Sequence, residues 1–426
     1  MLTDSEALKE ICNFFNQSRD FNGIPASSMV ANHNISWAEL QVQLARLLIS
    51  GQISLTFESY SQNPHIKRIP DLPLKVQLDG IKTEDIGGVC VYPAPNEIEK
   101  TVNLRPYDNR PYTRRLALAE PQLIPIFFDL HVLERYFSDP RYSCWFGDSE
   151  GHISLTDESY LSEQMTERDK VSLQSFGIGY DQNLNRVVVV FLRYLSDLSP
   201  EHQQAWKANE VLGPCKMNSD YERASIWGEW PEYYSVYEAF IQEQIEINKL
   251  SSLIGKPPLF KETYQEHHRP IAFSSMLRPT SQNLDAFVHL LDKMLSDNMD
   301  KRFFEGDIPL EEQIKRKDNT IEVRPLGTLI LLERWLNKYY KNQAGKDVSR
   351  EVIAPFKDIR AARQPTAHSI KPNEYNPSFP KRQDEILGRT KQGLTILRLI
   401  FSSHPKARAA AYEAPGWLDS NKIVFY

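Results

Sequence analysis

Apolar residues recur at helical spacing near the start of the chain. Stretches near Ser5–Gln17 and Ala26–Ala31 predict two helices. A third begins after Ser36, where Glu39 completes a capping box. Gly51 ends this third helix, and alternating apolar residues after it predict a strand and a hairpin. The predicted buried stripe of the third helix consists of Leu40, Leu44, Leu47 and Leu48.

This order of elements over residues 1–60 resembles a winged helix-turn-helix domain. A DNA reader of this type needs positive charge to contact phosphates. The segment has three basic residues, Lys9, Arg19 and Arg46, and six carboxylates oppose them. We therefore expect this winged-helix-like domain to contact a protein or to be structural, in preference to binding DNA.

Residues 61–265 predict a mixed α/β domain of unknown role. The apolar run between Arg186 and Arg193 is typical of a buried strand, whereas Pro121–Phe137 and Trp230–Leu253 predict helices. Four polar residues form small clusters without a partner motif, so we interpret them as solvated loops: Asp148, Glu150, His267 and His268.

Residues 281–410 predict an all-α helical bundle, followed by a C-terminal tail at residues 411–426. A charged connection at Lys315–Lys317 separates the first two helices. The chain is therefore expected to be a multidomain protein, mainly α with α+β parts. The four predicted helices of the bundle are Leu284–Leu295, Gly327–Tyr340, Arg350–Ala362 and Arg382–Phe401.

The composition predicts a cytoplasmic protein without a membrane partner. The longest clean apolar run, Val187–Leu192, is far shorter than the roughly 20 residues that cross a bilayer. The beginning of the sequence is acidic, unlike a secretory signal. The four cysteines are widely spaced and form no zinc pattern, so we expect buried thiols, no bound metal and no cofactor.

The charge of the chain is unevenly distributed. Residues 281–410 contain 23 Lys and Arg against 17 Asp and Glu, whereas residues 1–280 contain 26 against 37. A basic region on an acidic chain indicates a segment that meets a polyanion such as RNA.

Arg363 is followed five positions later by His368, in the segment Arg363-Gln-Pro-Thr-Ala-His368 between the third and fourth predicted helices. Residues five apart on a continuous helix point about 140° from each other. We expect Pro365 to bend the chain so that both side chains face one pocket.

This motif, late in a helical bundle, resembles that of the HEPN superfamily, whose members have an arginine, four to six residues and then a histidine. The resemblance covers residues 281–410 and implies metal-independent RNA cleavage through the ribose 2′-hydroxyl. It implies His368 as general acid/base, Arg363 as phosphate stabiliser and Gln364 as an orienting group. The family more often has Asn, Asp or His at the position of Gln364. Arg360, one turn earlier, could contact substrate.

The same spacing occurs a second time, from Arg398 to His404. His404 stands at the end of the last predicted helix, where the negative end of the helix dipole explains a histidine. We therefore do not assign this second pair to a site.

The leading hypothesis from the sequence is an endoribonuclease of a toxin or anti-phage defence system. One alternative is a non-catalytic HEPN-like dimerisation or RNA-binding module, as in antitoxin-type accessory proteins; another is a winged-helix transcription regulator. The resemblance also implies a homodimer through the C-terminal bundle. The apolar helices at Leu284–Leu295 and Gly327–Tyr340 serve either the core of the bundle or this interface.

Overall fold

A computed structural model gives the structure of the chain. It describes residues 2–60, 63–67, 71–83, 86–163, 165–230, 233–265, 268–316, 320–340, 348–368 and 372–426, without the side chains of Val348 and residues 364–368. The chain divides into two compact units. The first comprises Met1–Trp145 and Ser149–Trp230, and the second comprises Phe146–Asp148 and Pro231–Tyr426.

The first unit begins with helices packed on a small antiparallel sheet of strand order β1-β3-β2. The capping box of Ser36 and Glu39 is present, and Gly51 has the positive φ of 68° that ends the third helix. The predicted leucine stripe is buried. The elements are α1 (Asp4–Gln17), β1 (Ile24–Pro25), α2 (Ala26–His33), α3 (Trp37–Ile49), β2 (Ile53–Thr56), α4 (Leu74–Thr83) and β3 (Cys90–Pro93).

The rest of the first unit is built around a six-stranded sheet of order β4-β8-β7-β6-β5, with β9 paired to β7. Its buried interior strand β8, between β4 and β7, is the predicted apolar run between Arg186 and Arg193. The elements are α5 (Pro95–Ile98), α6 (Pro111–Ala117), β4 (Pro125–Asp129), α7 (Glu134–Phe137), β5 (Tyr142–Phe146), β6 (Glu150–Leu155), α8 (Asp157–Tyr160), β7 (Ser172–Tyr180), β8 (Arg186–Phe191), α9 (Leu192–Ser196), α10 (Pro200–Lys207), β9 (Lys216–Met217) and α11 (Ser219–Glu222), which a π-helical turn follows at Arg223–Trp227.

Two expectations for the first unit are wrong. The helix expected over much of Pro121–Phe137 is limited to short helical turns at Leu130–Leu133 and Glu134–Phe137. The segment before them forms β4, because the alternation of Ile126 and Phe128 with less buried neighbours suits pairing with β8. The strand β2 pairs with β3, beyond residue 60, instead of forming a local hairpin.

A buried glutamine joins the first 60 residues to the middle segment of the chain. The amide Nε2 of Gln122 donates to the carbonyl oxygens of Asp20 and Phe21 at 2.9 and 3.2 Å. The hydroxyl of Tyr92 on β3 donates to Gln122 Oε1 at 3.2 Å. Residues 1–60 and the middle segment therefore belong to one compact unit.

The second unit is mainly helical around a single apolar core. Short strands accompany the helices, so the expectation of an all-α bundle is wrong: β11 and β12 form a hairpin within the charged connection. The elements are β10 (Tyr234–Ser235), α12 (Val236–Leu253), α13 (Ser281–Met294), β11 (Glu311–Lys315), β12 (Ile321–Pro325), α14 (Thr328–Tyr339), α15 (Val348–His368), α16 (Phe379–Ser402), α17 (Pro405–Ala409) and β13 (Ile423–Val424).

The limits of the second unit also differ from the expected 281–410. The helix α12 packs along α16 and buries Phe240, Ile247 and Leu250 in the same core, so the unit begins earlier. The expected tail belongs to it as well, because β13 pairs in parallel with β10 and Trp417 stacks on Tyr234 with ring centroids 4.1 Å apart.

Candidate active site

The predicted motif lies on α15, which packs against α13. Apolar side chains of both helices, Val352 and Phe356 on α15 and Leu291 on α13, fix this arrangement in the core. The expected end of α15 near Ala362 is wrong, because the helical backbone continues to His368. Pro365 removes one backbone donor, but this loss does not end the helix.

Arg363 forms ion pairs with two carboxylates at the end of α13. Its Nη1 donates to Asp292 Oδ2 at 2.6 Å and to Asp297 Oδ2 at 2.9 Å. The side chain of Asp292 is 1% exposed, that of Asp297 is 41% exposed and that of Arg363 is 27% exposed. One of the two carboxylates is therefore interior and the other is accessible to solvent.

Arg360, one turn before Arg363, approaches the same place. Its Nη1 donates to Ser296 Oγ at 3.3 Å, and its Nη2 is 3.9 Å from Asp297 Oδ1. The buried Ser296 hydroxyl also donates to Asp292 Oδ1. We refer to Asp292, Ser296, Asp297, Arg360 and Arg363 as the Arg363 cluster.

The Arg363 cluster is electrically balanced. Two guanidinium groups face two carboxylates, so its formal charge is zero when both aspartates are ionised. The hydrogen bonds that Arg363 donates to Asp292 and Asp297 raise the pKa of Arg363 above its ordinary value, which keeps this side chain protonated at every physiological pH. The negative end of the α13 dipole also favours cations at this position.

Of the predicted site residues, the structure brings Arg363 and Arg360 together. Gln364 and His368 lie on the helical backbone of α15, and their side chains are outside the described part of the structure. Because α15 is helical through both residues, which on a regular helix point about 140° apart, a shared pocket of Arg363 and His368 within one copy requires a bend at Pro365 and stays a prediction. Asp292 and Asp297 were not predicted, because they carry no local motif that would pair them with an arginine some 70 positions away.

A groove runs along a neighbouring face of α15, between α13 and α16. Its volume is about 280 Å³, near the lower limit of small-ligand pockets. Apolar side chains of Val288, Ile359 and Ile386 line it, and an ion pair of 2.8 Å between Arg389 and Asp358 stands at its rim. The groove has room for a group of the size of one base, and none of its lining residues belongs to the Arg363 cluster.

The second spacing match is a structural feature. The side chain of Arg398 is 2% exposed, and its Nε donates to Glu243 Oε2 on α12 at 2.7 Å. The imidazole Nδ1 of His404 accepts the backbone N–H of Lys406 at 3.2 Å and so caps the start of α17. His404 therefore caps the N-terminus of α17. The structure does not show the expected interaction of His404 with the negative end of α16.

The polar clusters of the middle region also have structural roles where the structure describes them. Asp148 is buried, not solvated as expected, and both of its oxygens accept from Arg269, at 2.7 and 2.9 Å. Glu150 is part of β6. His268 lies in the loop before α13, and His267 is outside the described residues.

In the part of the chain that the structure describes, no group of three or more His, Cys, Asp or Glu residues could hold a metal ion. Within the same part, no helix combines the length and the apolar character needed to cross a bilayer. No protein-family model, curated protein or solved structure matches this chain.

Proposed function

We propose that the chain is a metal-independent endoribonuclease of HEPN type, serving a toxin or anti-phage defence system. The observation that carries the proposal is the Arg363 cluster: an arginine of the motif is held in place by a buried carboxylate, is partly exposed, and lies on the same helix as His368. A guanidinium that is oriented in advance can stabilise a developing phosphate charge without reorganising.

The proposed reaction proceeds through the ribose 2′-hydroxyl. The 2′-oxygen loses its proton and bonds to phosphorus, while the bond from phosphorus to the 5′-oxygen breaks and that oxygen gains a proton. His368 would exchange these protons, since a histidine titrates near neutrality. Arg363 would stabilise the phosphate oxygens, Gln364 would orient the reacting groups and Arg360 would contact the RNA chain. The products would be a 2′,3′-cyclic phosphate and a 5′-hydroxyl.

A homodimer is part of this proposal, because one histidine does not readily serve both proton transfers. The apolar residues Leu284, Phe287, Leu329 and Leu332 are buried in the core of their own unit, so these stripes are not spare surface for a dimer. The proposed interface must therefore use other residues of the second unit.

The test uses purified protein, a single-stranded RNA substrate and excess EDTA. We expect the wild type to cleave and His368→Ala to lose cleavage while folding normally, because a histidine that transfers protons contributes little packing. His404→Ala is the matched control, since it removes the histidine of the second spacing match. We also expect a substrate with 2′-deoxyribose at the scissile position to resist cleavage. Cleavage by folded His368→Ala, or cleavage that needs added Mg²⁺, would refute the proposal.

A second candidate function is a non-catalytic dimerisation or RNA-binding module of antitoxin type. The charge balance of the Arg363 cluster favours it, because Asp292 and Asp297 already neutralise both arginines. The cleavage assay separates the two functions: a module of this kind binds RNA or a second copy but leaves the RNA intact in every variant.

For the N-terminal part, we propose a winged-helix-like domain that contacts protein. The order of α1, β1, α2, α3, β2 and β3 supports this proposal. The face that α3 presents to solvent includes the exposed apolar residues Val42 and Ile49, and Trp37 is partly exposed at the start of the helix. Such a face suits a protein partner better than a phosphate backbone, so we expect no binding of duplex DNA at physiological salt.

A further inference from the structure

The two carboxylates that pair with Arg363 differ in burial and in their other hydrogen bonds. Asp292 is buried and receives a second hydrogen bond from Ser296, whereas Asp297 follows the end of α13 and is 41% exposed. Ion pairs of exposed groups contribute little stability because water competes for both partners. Asp297 can therefore leave Arg363 at small cost, while Asp292 cannot.

Asp297 also occupies a position that two cations share. Arg363 Nη1 is 2.9 Å from Asp297 Oδ2, and Arg360 Nη2 is 3.9 Å from Asp297 Oδ1. Each oxygen of the carboxylate thus faces a different guanidinium. A phosphate group presents oxygens to guanidinium in the same way and forms charge-assisted hydrogen bonds of the same kind.

We propose that the carboxylate of Asp297 occupies the place of a phosphate group, so that the Arg363 cluster is a phosphate site filled by the protein's own side chain. That this phosphate belongs to RNA rests on the proposed ribonuclease function. Binding of the phosphate releases Asp297 to solvent, and Asp292 keeps Arg363 oriented during the exchange. The negative end of the α13 dipole opposes the anion, but its partial charge is smaller than the one net positive charge that the two arginines and Asp292 leave when Asp297 is released.

The proposal predicts that neutralising Asp297 opens the site. In full-length Asp297→Asn the neutral amide competes less strongly than the carboxylate for the guanidinium groups, and the cluster gains one net positive charge. We expect inorganic phosphate to bind about tenfold more tightly than to wild type, with a similar gain for a non-cleavable 2′-O-methyl RNA. Both affinities are measurable by calorimetric titration at low ionic strength.

Two further variants show where the gain arises. Asp285→Asn is the matched control, because it makes the same charge change on α13, at a residue with no described contact to either arginine. Adding Arg360→Gln to Asp297→Asn removes one of the two cations and should abolish most of the gain. Asp297→Ala provides a second variant of the same side chain and should show the same gain.

The outcomes are distinct. A gain in Asp297→Asn that Asp285→Asn lacks and that Arg360→Gln cancels supports the phosphate site. Equal phosphate affinity in Asp297→Asn and Asp285→Asn overturns it, as does a gain that persists without Arg360. The cleavage assay is interpreted separately. Tighter phosphate binding without RNA cleavage refutes the ribonuclease function alone. RNA cleavage without tighter phosphate binding refutes the inference about Asp297 alone.

Discussion

Arg363 on α15 and Asp292 on α13 form an ion pair of 2.6 Å in which the carboxylate is almost completely buried. The arginine that the motif assigns to phosphate therefore also neutralises a charge inside the protein. A buried carboxylate that loses its partner is strongly unfavourable, because water cannot solvate it. Substitution of Arg363 thus affects stability as well as any chemistry.

We predict that Arg363→Ala lowers the free energy of unfolding by about 3 kcal/mol. This value is at the lower end of the usual cost of breaking a buried ion pair, because the guanidinium of Arg363 is partly exposed. The comparison is Arg389→Ala, which breaks an exposed pair with Asp358 and should cost less than about 1 kcal/mol. Urea unfolding followed by circular dichroism measures both. Adding Asp292→Asn to Arg363→Ala should recover part of the loss, since no buried charge then remains. Equal losses in the two arginine variants would contradict the role of Asp292.

A second prediction concerns the pH dependence of stability. His202 is fully buried, its Nδ1 is 2.6 Å from the hydroxyl of Tyr136, and burial lowers the pKa of His202 to about 4. Between about pH 6.5 and pH 4 the unfolded chain binds a proton at His202 that the folded chain does not. The free energy of unfolding should therefore fall by about 2 kcal/mol from pH 7 to pH 5 because of this residue.

Urea unfolding of the wild type and of His202→Gln at the two pH values measures this contribution as the difference between their pH dependences. Because glutamine does not titrate, the variant should lose less stability on acidification than the wild type. Parallel pH profiles would show that His202 is not held neutral.

The cysteines should differ in reactivity. Cys12, Cys90 and Cys144 are buried, and burial raises the pKa of Cys90 and of Cys144 to about 12, which leaves almost no thiolate at pH 8. Cys215 is only half-buried. We expect iodoacetamide to modify Cys215 first and the other three only after unfolding in urea, as read by mass spectrometry of peptides. Early labelling of Cys90 or Cys144 in the folded protein would contradict the burial of these two thiols.

The proposed dimer makes the last prediction. Sedimentation at working concentration should give twice the mass of the chain, and mixing His368→Ala with Arg363→Lys should restore part of the cleavage if two copies form one site. Lysine is used because it keeps the positive charge opposite Asp292. A fully active monomer would refute the composite site.

The sequence was most informative where the pattern is local. The stripes of α3, α13 and α14 and the capping box at Ser36 depend on residues within a few turns, and the structure confirms these helices. The strand β4 depends on β8, a partner that no short window contains, and it was missed. The hairpin of β11 and β12 is local, but its strands are charged and mostly exposed, so no apolar alternation marks them.

The same limit applies to the candidate site. The spacing of Arg363 and His368 is visible in the sequence, but the partners of Arg363 come from another helix. Asp292 and Asp297 look like ordinary charges near a helix end, and only the packing of α13 on α15 shows that one of them is interior. The electrostatic state of a site therefore depends on tertiary contacts that a motif does not encode.

The pairing of β10 with β13 has a consequence for how the second unit folds. Tyr234 pairs with Ile423, so this contact closes a loop that contains all the helices from α12 to α17. Closing so long a loop has a large entropic cost, and contacts between distant segments form slowly. We expect the helices to pack on one another first and this short parallel ladder to form late. Changes to the ladder should therefore alter the unfolding rate of the unit more than its folding rate.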